Sequence, residues 1–384
     1  MQETGQPESE PLSVFLGAGV VPRSSRSDNH NSLGEDLAKY QVVQPGDLVF
    51  NKLRTWQGGL GASPYRGIVS PAYFVCRPRD NWHPRYMHYL LLSRPYLAEL
   101  TRVSKFMPPS QFDIPWDMLR NLPVLHPPLD EQRRIADFLD TETARIDGLA
   151  AARRRFRDLI VLKRERTVEE VLGLDSMPPM LPLKYVVQSV NVGIVITPAR
   201  WYADSDGVPA LRGLNVQPGH IDSSNLVQIS QVGHQENLKS RLLAGDVVVV
   251  RTGQAGAAAI VPAELDGSNC IDLLIIRPGA LTSSSFLVHH LNSFYVRAKI
   301  LEHSVGTIQA HFNVDSMKKI AFPILERSEQ DRRAAALDEV VGALDLLYSQ
   351  LETQLNLLAE RRQALITAAV TGQIDVTTAR GVSA

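Results

Sequence analysis

Residues 131–140 read EQRRIADFLD, and residues 329–338 read EQDRRAAALD. One helix opening therefore occurs twice, 198 positions apart. Working outward, PGDLVFNKLR (45–54) is answered by AGDVVVVRTG (244–253), a Gly-Asp turn leading into an apolar strand that runs into basic residues. IVSPAYFVCRP (68–78) is answered by SNCIDLLIIRP (268–278), which brings Arg77-Pro78 into line with Arg277-Pro278. Phe112-Asp113-Ile114 is answered by Phe312-Asn313-Val314, and Pro123-Val124 by Pro323-Ile324. Five blocks in one order, at offsets of 198–200, make the 384-residue chain a tandem repeat.

Each copy has a mixed part followed by a helical part. The mixed parts, 1–128 and 178–326, carry short β-branched runs broken by Gly, Pro, Asn and Asp, as strands and turns do. The helical parts, 129–177 and 327–376, lack such breaks: no proline lies between Pro128 and Pro178, and none follows Pro323. Apolar residues recur at Ile135, Leu139, Ile146, Leu149, Phe156 and Ile160. They recur again at Leu337, Val340, Leu344, Leu347, Leu351, Leu358 and Leu365. These spacings mark a seam on a long helix, and two such helices in one chain most simply pack on each other. At 1.5 Å per residue a helix of roughly 40 residues is about 60 Å long. Asp130-Glu131 and Ser328-Glu329 place a capping residue and an acidic first turn at each start, with a subunit contact as the other reading of Glu131 and Glu329. The fold class is α+β, and residues 377–384 are expected to be a disordered tail.

Composition narrows the function. Hydrophobic residues make up 44% and charged residues 21%, as in an ordinary globular protein. With a formal net charge of −1, any nucleic-acid contact must come from local basic patches. Cys76 and Cys270 are the only cysteines, with no CxxC or Cys/His cluster, so neither a zinc site nor a disulfide framework is expected. The polar, acidic start Met1–Glu10 does not read as a signal peptide, and runs such as Val247–Val250 are far too short to span a bilayer. A cytoplasmic location is the expectation. FLGAG (15–19) is a weak match to the glycine motif of S-adenosylmethionine sites, and its repeat partner ALRGLNV (210–216) has no such pattern. No G-x-x-x-x-G-K-[ST] loop is present, and the histidines are scattered.

LPVLHPPLDEQRRIADFLD (122–140), GDVVVVRTGQAGAAAIV (245–261) and LLAERRQALITAAVTGQIDV (357–376) together resemble the specificity subunits of type I restriction–modification systems. The similarity runs over nearly the whole chain. It implies that the mixed parts are target-recognition domains separated by two long helices forming an antiparallel coiled coil. It also implies a non-catalytic subunit that reads a bipartite double-stranded DNA target. Such a subunit binds two modification (methyltransferase) subunits, and restriction (nuclease/translocase) subunits join them. S-adenosylmethionine, ATP and Mg are then expected on the partners and no cofactor in this chain. Against this pattern the first domain looks shortened: Pro11, which aligns with Pro209, has only ten residues before it. The competing classes are a coiled-coil adaptor without sequence-specific DNA binding and a self-contained methyltransferase.

A half-site reader needs donors for phosphates and side chains that reach base edges. In the second domain the candidates are Arg212, Asn215, Arg251, Thr252, Gln254, Thr307 and Gln309, with His311 beside them. In the first domain they are Lys52, Arg54, Lys105 and Gln111, with Trp56 and Ser110. Each basic residue at a strand end can instead be a solvated cation, and Trp56 and Trp201 can be core residues. Arg153–Arg155 read as a solvated helix face, with spacer phosphates as the alternative.

Overall fold

A computed structural model of the chain describes residues 3–4, 6–25, 36–107, 111–176, 178–195, 197–204, 206–253, 255–302 and 312–377. It divides into two compact units, Met1–Arg154 with Glu352–Ala384, and Arg155–Leu351.

The first unit opens on a hairpin of β1 (Leu12–Phe15) and β2 (Gly19–Pro22). FLGAG forms its turn, with Gly17 and Gly19 at φ of 77° and 69°; a cofactor loop would instead lead from a strand into a helix. β3 (Gln41–Val43) pairs with β6 (Gly67–Val69), and a three-stranded sheet has the order β5 (Leu60–Ala62), β4 (Leu48–Asn51), β7 (Tyr73–Cys76). Then follow α1 (Pro84–Leu92), α2 (Arg94–Val103), a ribbon of β8 (Lys105–Met107) and β9 (Gln111–Asp113), and α3 (Trp116–Arg120). The Gly-Asp and Arg-Pro blocks of the repeat meet here. Asp47, 2% exposed, accepts from Arg77 Nε at 2.9 Å and Nη2 at 3.1 Å, and closes its own turn by accepting the Gln44 amide at 2.9 Å.

The chain then enters α4 (Leu129–Leu172), which leads into the second unit. There β10 (Met180–Pro182) precedes β11 (Val187–Val192), β12 (Tyr202–Ala203), β13 (Val208–Leu211), β14 (Val216–Gln217), β15 (His220–Ile221), β16 (Val227–Ile229) and α5 (Gln231–Glu236). β17 (Val247–Val250), β18 (Ala258–Ile260), β19 (Asn269–Cys270) and β20 (Leu273–Pro278) follow. α6 (Ser284–Leu291), α7 (Phe294–Glu302), α8 (Val314–Lys319), β21 (Ala321–Pro323) and α9 (Arg327–Val370) complete the order. The central sheet is β11-β20-β17-β18, and a second sheet has the order β12-β16-β13-β19. β18-β17-β20 repeats β5-β4-β7 in order and register, Val249 facing Leu274 as Phe50 faces Phe74. The buried carboxylate recurs as well: Asp246 accepts from Arg277 Nε at 2.9 Å and Nη2 at 2.7 Å.

In the first unit the opening of α4 packs on the end of α9, through Ile135, Ala136 and Leu139 against Ile366, Ala369 and Val370. In the second unit Val168 and Leu172, near the end of α4, pack with Ala334, Leu337 and Val341 near the start of α9. The helices are thus antiparallel within each unit. Arg362–Asp147 in the first unit and Arg164–Asp345 in the second bridge the pair at 3.0 and 2.9 Å. The seam differs from the expected one at three positions. Leu149, Phe156 and Val340 are exposed, while Ala150 and Val341 are buried. A seam held by small residues lets the backbones approach, and one position of drift turns a residue by about 100° on a helix of 3.6 residues per turn. The helices end at Leu172 and Val370, within the helical parts that the sequence marks. Of the expected tail only Thr377 is described, its amide donating to Asp375 Oδ1 at 2.9 Å.

The Glu-Gln of the repeat acts through its glutamine. Gln132 is 0% exposed: its Oε1 accepts the His83 amide at 2.8 Å, and its Nε2 donates to Asn81 O at 3.2 Å and Pro127 O at 2.8 Å. Gln330, 1% exposed, accepts the Ser283 amide at 3.0 Å and donates to Leu281 O and Leu325 O, both at 2.9 Å. Glu329 pairs with Arg332 and Arg333 of its own helix, as a residue of the first turn does. Gln330→Ala removes three bonds and strands a buried amide, so it is expected to destabilise the second unit by about 2–4 kcal/mol. Denaturant unfolding of the parent and variant measures this.

Two histidines add a pH dependence. Burial, with Arg85 and Arg362 nearby, pushes His88 down to about 3. Burial pushes His290 down to about 4, although its Nε2–H bond to Ala321 O at 2.8 Å acts the other way. Both folded values lie below the value near 6.5 expected in the unfolded chain. As pH falls below about 6.5 the unfolded chain takes up protons that the folded one refuses, so stability is lost on acidification. The loss is up to about 1.4 kcal/mol per pH unit for each histidine, down to the folded value. In unfolding curves at stepped pH, His290→Gln is expected to flatten the slope between pH 6.5 and 4.

Candidate nucleic-acid interface

In the first unit, Lys52 leaves the end of β4. Its Nζ donates to Pro71 O at 2.7 Å and lies 4.6 Å from the centre of the Phe74 ring. Arg54 follows, exposed on a tight loop. Thr55, fully buried, closes that loop by donating to Asn51 O at 2.6 Å. A Cβ at Gly59 would come within 2.7 Å of Arg54 O, so the tight packing behind Arg54 requires glycine. Trp56 donates through Nε1 to Leu53 O at 3.2 Å, and its ring lies 4.7 Å from Phe112. Lys105 is exposed on β8 opposite Asp113, and Gln111 stands on β9 opposite Met107. Lys52 thus lies on the Phe74 ring, which pairs with Trp116, and Arg54 and Lys105 stand exposed next in sequence to the Trp56–Phe112–Phe106 rings, while Ser110 lies outside the described residues.

In the second unit the candidates separate into two kinds. Asn215 is 1% exposed: its Oδ1 accepts the Arg212 amide at 3.0 Å, and its Nδ2 donates to Asp222 O and Asn225 O at 3.2 and 3.3 Å. Both ends of the Asn215 amide are occupied inside the fold, where they close the loop. Arg212 is half-buried, and among the described residues its Nε has no partner. Arg251 is held rather than presented. Its Nη1 pairs with Asp272 Oδ1 at 2.6 Å, its Nε donates to Phe312 O at 3.2 Å, and its side chain is 15% exposed. Thr252, next along, is exposed. Gly256, at φ 94°, sits where a Cβ would come within 2.8 Å of Ile300 Cδ1. Gln254, Thr307, Gln309 and His311 lie outside the described residues.

Lys52 and Arg251 occupy one position of the repeat, each reaching from the end of a central strand to the turn that precedes the third strand. Basic residues at strand ends are thus latches of the scaffold, and the residues that follow them, Arg54 and Thr252, face solvent. Trp201 packs against Gly233 and carries the Arg200 guanidinium 4.1 Å above its ring, as a lid residue does. Two exposed aromatics of the first unit, Phe106 and Trp116, were not candidates in the sequence, because nothing in its pattern separates an exposed ring from a buried one. Among the described residues no group of three His, Cys, Asp or Glu could hold a metal, and no helix is long and apolar enough to cross a membrane. Losing the ion pair and a carbonyl bond, Arg251→Ala is expected to lower stability by about 1–3 kcal/mol, whereas Arg54→Ala and Thr252→Ala shift it by less than about 0.5 kcal/mol. Thermal melts of the three variants separate latches from exposed contacts.

No family model matches the chain. Over 182 residues it is 29% identical to the type I restriction enzyme StySPI specificity subunit of Salmonella potsdam and 28% identical to the EcoKI specificity subunit of Escherichia coli K12. Each match covers 45% of this chain and 38% of the relative. The EcoBI specificity subunit of Escherichia coli is 21% identical over 272 residues, 65% of this chain and 57% of that protein. Among solved structures, a chain from work on complex assembly and conformational transition of the type I R-M system superposes with a TM-score of 0.67 at 16% identity, covering 97% of this chain and 95% of that one. The HsdS subunit from Thermoanaerobacter tengcongensis superposes with a TM-score of 0.52 at 18% identity, covering 97% and 94%. The resemblance read in the sequence is borne out, and the fold is that of the type I specificity subunits.

Proposed function

We propose that this chain is the DNA-reading, non-catalytic specificity subunit of a type I restriction–modification assembly, recognising a bipartite double-stranded target. The observation that carries this reading is the doubled scaffold. Two units share one sheet register, one buried Asp–Arg pair, one cationic latch and one glutamine-pinned helix start, and each sets loops beyond the latch. Two equivalent readers imply two half-sites, with unread bases between them.

The partners follow from the same reading. Two modification subunits supply S-adenosylmethionine chemistry, and restriction subunits supply ATP- and Mg-dependent chemistry. Leu149, Phe156, Leu159, Leu162, Leu346 and Leu357 are exposed on the long helices, which suits protein partners. A net charge of −1 suits a reader whose affinity for DNA is shared with partners that grip the flanking duplex. The place of work is then the cytoplasm, beside the DNA.

The test is sequencing of methylated bases in a host carrying this chain with its modification partner. The expected result is two short half-sites at fixed separation. A continuous, spacer-free target would defeat the bipartite reading, and loss of salt-dependent, sequence-specific DNA binding in the presence of partners would leave only an adaptor role. Replacing Leu346 and Leu357 by Glu is expected to weaken capture of the modification subunit by about tenfold or more, as for truncated interface anchors, with unfolding curves unchanged.

A further inference from the structure

We infer that Phe106 is a specificity-determining residue of the first unit, packing its ring on the 5-methyl group of a thymine in the half-site. The inference rests on the proposed DNA-reading function and names one contact within it.

Phe106 and Phe112 face each other across the β8–β9 ribbon, their ring centres 5.1 Å apart and edge to face. Phe112 is half-buried and rests on Trp56 at 4.7 Å, which in turn is fixed by its bond to Leu53 O. The three rings form a ladder running outward from the Arg54 loop, and Phe106, at its outer end, is 55% exposed. A single exposed phenylalanine needs no explanation. This one is backed by two rings, which hold it in place with little rotamer freedom left to lose on binding.

The surroundings favour duplex DNA over a protein as the occupant. Exposed Lys105 adjoins Phe106 in sequence, and exposed Arg54 lies two residues before Trp56, so each end of the ring ladder has an exposed cation next to it along the chain. Successive side chains of a strand point to opposite faces, which puts the Lys105 ammonium and the Phe106 ring on opposite faces of one ribbon. A two-stranded ribbon fits the major groove, where phosphates line the walls and the thymine methyl is the apolar group on the floor. A ring in that position distinguishes thymine from cytosine without a hydrogen bond.

The experiment uses the full chain assembled with its modification partner. Each thymine of the methylation target is replaced singly by deoxyuridine, and binding is measured for the parent and for Phe106→Ala. At one position, loss of the methyl is expected to weaken the parent about fourfold, the value of one buried methyl, and to leave Phe106→Ala unaffected. Phe106→Leu, which keeps an apolar surface, retains part of the methyl sensitivity. Lys105→Ala lowers affinity evenly over all these duplexes and reduces the salt slope by about one. Thermal melts show that the variants fold. Equal deoxyuridine penalties in the parent and Phe106→Ala overturn the inference, as do parent-like affinity of Phe106→Ala and a target without thymine on either strand of its half-sites. If the parent assembly binds no specific sequence, the proposed function itself falls.

Discussion

A buried carboxamide at the first turn of each long helix is the contact on which the rest of each unit depends. A helix of 44 residues has no core of its own, and something must fix the direction in which it leaves the domain. Gln132 and Gln330 do so by satisfying three backbone groups at once, an amide at the start of α1 or α6 and carbonyls of the two segments that converge there. The first amides of a helix lack intrahelical partners, so burying such an end demands an acceptor from elsewhere. A glutamine carries both an acceptor and two donors on one short arm, which neither glutamate nor lysine provides. The apolar packing of α4 and α9 begins within a turn of these residues, at Ile135 and Ala334.

The sheets rely on a second repeated device. A carboxylate buried to 2% exposure in both units receives two guanidinium bonds from the third strand and one amide bond from its own turn. Breaking either pair strands a buried charge, so the two residues persist together. Lys52 and Arg251 then tie the far end of the central strand to the opposite turn. The strand is fixed at both ends by charge, and the exposed residues that follow it extend from a rigid base. Recognition placed on loops anchored in this way leaves the scaffold unchanged when the loop sequence changes.

The second unit has a strand, β11, along the outer edge of β20, and among the described residues the first unit has no strand in that place beside β7. Instead Gln41 reaches that edge, donating through Nε2 to Tyr73 O at 2.8 Å. An exposed strand edge offers unpaired backbone groups, and a side-chain amide is one way to occupy them.

The sequence by itself determined the repeat, the alternation of strand-rich and helical parts, and the pairing of two long helices. These are properties of order and period, and order and period are written in one dimension. The Glu-Gln block was legible as a helix start, but its weight lay in the glutamine, because burial of a polar side chain depends on neighbours about 50 positions away. Arg251, Asn215 and Lys52 were legible as polar residues at strand ends and loops. Only the tertiary structure decided that Asp272, the Asp222 and Asn225 carbonyls and the Pro71 carbonyl take them up. Phe106 shows the converse: nothing in the sequence sets its ring apart from a buried one, and it stands outside in the structure. Whether a charge is free or a ring exposed depends on which distant segments fold over it, and that is fixed only when the strands have paired and the helices have packed.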